Sequence, residues 1–126
     1  MLVLNREAVS ASLSHAECVD IMAAAMRVVS NRDIVMPLRQ FMAVPDTEGK
    51  LGMMPGYLGK TNHTEPTFGI KVVSKFPRES GSSHSSHVGA VVLFEAKYGL
   101  PIAFIDGREL TAIRTSATTA MATRVL

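Results

Sequence analysis

Between Met36 and Ile105 apolar residues recur at every second position, whereas on either side of that stretch they recur at every third or fourth. A period of two belongs to strands with one buried face, and a period near 3.6 to helices with one buried stripe. Leu2–Leu4 reads as a short strand, after which Asn5 caps a helix that runs to Leu13. Ser14 and Glu17 form a capping box that opens a second helix by satisfying two free amide donors. Its apolar stripe is Val19, Met22, Met26 and Val29, and Asn31, Arg32 and Asp33 break the pattern.

In the middle of the chain, Met36–Val44 reads as a strand, Pro45–Lys50 as a hairpin turn and Leu51–Leu58 as the return strand. Gly52, Gly56 and Gly59 punctuate that return and are expected to mark bulges. Thr61–Pro66 is a polar connection to a third strand, Phe68–Phe76. A Ser-rich loop, Lys75–His87, leads to a fourth strand, Val88–Phe94, and the turn Glu95–Gly99 leads to a fifth, Leu100–Ile105. Asp106 and Glu109 repeat the capping-box spacing before a terminal helix. These elements predict an α+β domain over residues 1–126: a mostly antiparallel sheet, N-terminal helices and a C-terminal helix.

The terminal helix carries an arginine among apolar residues. At about 100° per residue, Leu110, Arg114, Ala117 and Met121 fall within an arc of roughly 60°. A guanidinium keeps its charge, so on a sheltered face it needs an anion. The opposite side, with Thr111, Ala112, Thr115, Ser116, Thr119, Ala122 and Thr123, is small and uncharged. Such a surface lets another backbone approach closely, so a partner chain or a continuation of the chain is expected to cover it.

Two strands carry further cations. Lys71 is flanked on its face by Gly69 and Val73, and Arg39 shares its face with Phe41 and Ala43. No carboxylate is placed to pair with Arg39, Lys71 or Arg114, because Glu95 and Asp106 sit at strand ends and Asp46 and Glu48 in a turn. Cations converging on one small carboxylate make an orienting site, with arginine supplying a two-pronged fork and lysine a point charge.

Composition narrows the remaining classes. Thirteen basic against eleven acidic residues give a net charge of +2, too even for a surface that tracks nucleic-acid phosphates. An RNA-binding reading built on Lys75, Arg78 and the Ser-rich loop lacks stacking aromatics. Cys18 has no internal partner and reads as a packing residue. With neither a secretory leader nor a membrane-length apolar run, the expected compartment is the cytoplasm. His84 and His87 lack the further ligands a metal site needs. There is no G-x-S-x-G elbow, P-loop or G-x-G-x-x-G, so this chain does not itself carry a standard dinucleotide fingerprint.

The segments LGMMPGY (Leu51–Tyr57), FGIKVVS (Phe68–Ser74), HVGAVVLFE (His87–Glu95) and IDGRELTAIRTSATTA (Ile105–Ala120) resemble the N-terminal half of the ornithine cyclodeaminase and mu-crystallin family, over essentially the whole chain. The resemblance implies a substrate-binding and dimerisation domain whose terminal helix leads into an NAD(P)-binding Rossmann domain absent from these residues. It implies that Arg39, Lys71 and Arg114 hold the α-carboxylate of an amino or imino acid, with Arg114, Thr115 and His87 near the NAD or NADP nicotinamide. Gly52 stands where cyclodeaminases carry a glutamate, a likeness to the mu-crystallin and ketimine-reductase branch. The family's catalytic aspartate lies in its second domain, so the chain alone is expected to bind a small carboxylate without turnover, as a homodimer. The rival expectation is a non-catalytic dimeric module that binds a small ligand.

Overall fold

A computed structural model describes residues 1–126. The elements are β1 (Leu2–Leu4), α1 (Arg6–Ser12), α2 (His15–Ser30), β2 (Ile34–Val35), β3 (Gln40–Ala43), β4 (Lys50–Leu58), β5 (Thr67–Lys75), β6 (His87–Glu95), β7 (Pro101–Asp106) and α3 (Gly107–Val125). The strands form one sheet in the order β1-β7-β6-β5-β4-β2, with β3 also paired to β4. All pairings are antiparallel except β1 with β7. The α+β class and the mostly antiparallel sheet expected from the pattern are both present. No helix is long and apolar enough to cross a membrane.

Both faces of the sheet are apolar, but helices pack on only one. On the inner face a row runs across five strands through Leu4, Ile105, Val91, Lys71 and Met54. The outer face has its own row of Val3, Phe104, Val92, Ile70 and Pro55, and Phe68 stacks on Phe94 there at 5.2 Å between ring centroids. Val3 and Phe104 remain exposed. The core lies among the helices, where Val9, Cys18, Val19, Ile113 and Ala117 are buried together. Cys18 thus packs, and burial pushes its thiol above the ordinary range.

Glycine sets the seat of α3. A side chain on Gly107 would lie 2.8 Å from the carbonyl group of Gly89 in β6, closer than a Cβ can come, so the helix start rests backbone to backbone on the strand. Asp106 caps this start by accepting from the amides of Arg108 and Glu109. The Glu109 carboxylate does not close the expected box. It accepts instead from Ser10 Oγ at 2.8 Å and ties α1 to α3. The Ser14–Glu17 box forms in full, and its bonds hold the Glu17 carboxyl below the usual range.

Several expected boundaries move. Of the strand expected over Met36–Val44 only β3, Gln40–Ala43, forms; Met36–Arg39 is irregular, and the two-residue β2 lies before it. The two short strands pair with opposite ends of β4, which one straight strand could not do. No bulge marks Gly52 or Gly56, because β4 and β5 stay in register throughout. The irregularity falls at Leu93/Phe94 in β6. In α2 the buried residues are Cys18, Val19, Ala24 and Val28 while Met26 is exposed, since the helix packs against both α3 and β4 rather than one neighbour. Replacing Ile113, 2% exposed, with alanine is expected to cost about 2–5 kcal/mol in chemical denaturation. On the outer face, Phe104→Ala should cost the monomer under ~1 kcal/mol.

Candidate functional site

Lys71 occupies the middle of β5, in an otherwise apolar row, which removes water from much of its stem. Its Nζ donates to Thr111 Oγ1 at 2.7 Å, and that hydroxyl donates in turn to the carbonyl of Gly107. The ammonium is therefore fixed by one neutral acceptor one turn into α3. Burial lowers the lysine's pKa, and the positive charges of Arg114 and Arg39 lower it further. Arg39 and Arg114, 32 and 43 residues from Lys71 in sequence, thus both come within electrostatic reach of it.

No carboxylate neutralises the cluster. The salt bridges of the chain are Lys60–Glu65 and Arg124–Asp20, both on the surface. The cations are not equally sheltered, however. The expectation that Arg114 lies buried on the apolar stripe is incorrect: Ile113 and Ala117 centre the buried face and Arg114 is exposed at its rim. The helix is turned because Ile113, about 100° from Arg114, is the larger apolar group and takes the core position. Arg39 is likewise exposed and lies just before β3 rather than within a strand. Only Lys71 is partly buried.

Two cavities adjoin Lys71. One, of about 350 Å³, is lined by Lys71, Ser85, His87, Gly107, Arg108 and Thr111. The other, of about 330 Å³, is mostly apolar and lies between the β4–β5 pair and the segment around Ile34 and Met36. A larger hollow between the C-terminal ends of α2 and α3 shares no residue with the cation cluster. His87 is exposed at the start of β6, its Nδ1 2.9 Å from Ser86 Oγ. Thr115 is exposed one turn beyond Thr111 on α3. Its side of the helix, small and uncharged, is open in the single chain.

Thr111 and Arg108 escaped sequence reasoning as site residues. Thr111 was legible only as one of the small residues on α3. The spacing of four from Gly107, which lets its hydroxyl bond back to the Gly107 carbonyl, carries no hint of Lys71 forty residues away.

A mixed sheet with helices on one face and a cationic cluster at the helix–sheet junction defines an α+β domain. The profile of the ornithine cyclodeaminase/mu-crystallin family matches residues 1–126, and the chain belongs to that family. It is 33% identical over 93 residues to ketimine reductase mu-crystallin of Mus musculus, an alignment covering 74% of this chain and 28% of that protein. It is 25% identical over all 126 residues to Delta(1)-pyrroline-2-carboxylate reductase of Bacillus cereus, 38% of that protein's length. Among solved structures, the Thermococcus litoralis Delta(1)-pyrroline-2-carboxylate reductase in complex with NADH and L-proline superposes with a TM-score of 0.87 at 30% identity, covering 100% of this chain and 38% of that one. The chain therefore spans well under half the length of these relatives.

The depressed pKa of Lys71 has a pH signature. Because the folded state releases this proton at lower pH than the unfolded chain does, the charged lysine opposes folding at neutral pH, and stability rises as pH climbs from the folded pKa toward the ordinary lysine range. Denaturation curves across that window should show the rise in the native chain and lose it in Lys71→Met.

Proposed function

We propose that this chain forms the substrate-binding part of an NAD(P)-dependent enzyme that acts on a small amino or imino acid. The observation that carries the reading is the cluster of Arg39, Lys71 and Arg114 without a protein carboxylate to answer it. A substrate α-carboxylate supplies that missing charge: the two exposed guanidinia bind its oxygens as forks, and the half-buried ammonium fixes its depth. The aqueous exposure of both arginines lets them adjust to an arriving ligand, while Thr111 holds Lys71 in place.

The residues near a nicotinamide would be Arg114, Thr115 and His87. They fit such a group: His87 shares a cavity with Lys71, and Thr115 presents a hydroxyl on the open face of α3. The nicotinamide, when bound, supplies hydride exchange at the substrate α-carbon. The chain's own part is orientation, since a carboxylate held at three points leaves the α-carbon little freedom. The binding site for the rest of the dinucleotide is assigned to a second, Rossmann domain outside these residues.

A reductase or dehydrogenase fits better than a cyclodeaminase. The ring of Phe41 lies over Gly52, where an added Cβ would stand 2.9 Å from it, so a glutamate there would have to displace the ring. The bare outer sheet face supports a homodimer. Its apolar rows, with Phe104 42% and Val88 50% exposed, form a continuous patch of the kind that marks an interface.

Two measurements test this reading. NMR titration with L-proline should show saturable binding that Arg114→Ala weakens at least about tenfold, a loss of ~1.4 kcal/mol; equal binding by the variant would remove the arginine from the clamp. Light scattering should find a dimer that Phe104→Asp converts to monomer. A native chain that is monomeric at high micromolar concentration would overturn the dimer.

A further inference from the structure

We infer that the apolar cavity beside Lys71 receives the substrate's side chain and selects an uncharged, aliphatic one over a side chain ending in an ammonium. The inference rests on the carboxylate-binding reading above and specifies which carboxylates the site takes.

The cavity begins where Lys71 ends. Lys71 lines it together with Met54, its cross-strand neighbour on β4, and the walls continue through Val29, Ile34, Met36 and Leu93. Its floor is the pair Gly56 and Gly69, which face each other across β4 and β5. At Gly69 the β6 backbone comes close, since an added Cβ would lie 2.3 Å from the Val92 carbonyl oxygen, so the open space of the floor lies at Gly56. Gly56 is not forced by its backbone, since φ there is not positive and an added Cβ would meet only the Val35 carbonyl oxygen, at 3.8 Å. The hollow at Gly56 is therefore space that this strand position leaves open.

Charge decides what may enter. No aspartate or glutamate lines the cavity, and Lys71 is its one charged residue. Asp33, the acid that precedes this segment, packs against Gly59 instead. A ligand whose carboxylate rests on Lys71 and whose side chain enters here finds van der Waals partners for methylenes and methyls. A terminal ammonium would lose its water, meet no carboxylate, and approach a cluster that already carries three positive charges. Rejection comes from that uncompensated charge, and acceptance from apolar contact. At about 330 Å³ the space suits a small aliphatic chain or a five- or six-membered ring.

L-norvaline and L-ornithine have the same carbon chain and differ by the terminal ammonium, so the pair isolates the charge. NMR titration of the full chain should give a dissociation constant at least tenfold lower for L-norvaline. Gly56→Val, which fills the hollow, should weaken L-norvaline at least fivefold more than it weakens glycine. Met36→Glu, at an exposed position on the cavity rim and so tolerant of a charge, should shift the norvaline-to-ornithine ratio at least threefold toward ornithine. Equal or tighter binding of L-ornithine by the native chain, or a ratio unmoved by both substitutions, overturns the inference while the clamp stands. If Lys71→Met binds L-norvaline as the native chain does, the clamp itself fails and the side-chain assignment falls with it.

Discussion

The backbone contact between Gly107 and Gly89 is the constraint on which the rest of this chain depends. It lets the first turn of α3 lie against β6 with no side chain between, and the helix then runs outward at a set height over the sheet. That height brings Thr111 to Lys71 and carries Ile113 and Ala117 into the small core with α1 and α2. One methyl group at position 107 would act on both at once, because the site and the core hang from the same helix.

The electrostatics follow from this seating. A lysine in mid-strand pays a desolvation cost that its threonine partner only partly offsets, and two arginines nearby raise the cost. The strain is modest because the arginines remain in water, where screening weakens repulsion among them. In the proposed site the same cluster would attract a carboxylate and repel a second ammonium, so one arrangement of charge would serve both affinity and selectivity.

The sheet is the other unfinished element. Helices cover one face, and the rows through Phe104, Val92 and Ile70 on the other face meet solvent in the single chain. Only 12 of 126 residues are buried, few for a chain of this length, so much of its apolar surface meets solvent in the single chain.

Periodicity and capping chemistry determined which elements exist, because both act within a few residues. The box of Ser14 and Glu17, the Asp106 cap and the alternation through Phe68–Phe76 are local facts and were legible. The resemblance carried the family, and the unpaired charges of Arg39, Lys71 and Arg114 singled them out. Tertiary structure alone decided which side of α3 is buried, since the choice between Ile113 and Arg114 depends on what α1 and α2 present to it. It also placed two short strands, Ile34–Val35 and Gln40–Ala43, where one longer strand was expected over Met36–Val44, because the length and position of β4 set where each could pair. Thr111 and the hollow at Gly56 belong to the same category: each exists only when residues distant in sequence are brought into register, and no local pattern records that meeting.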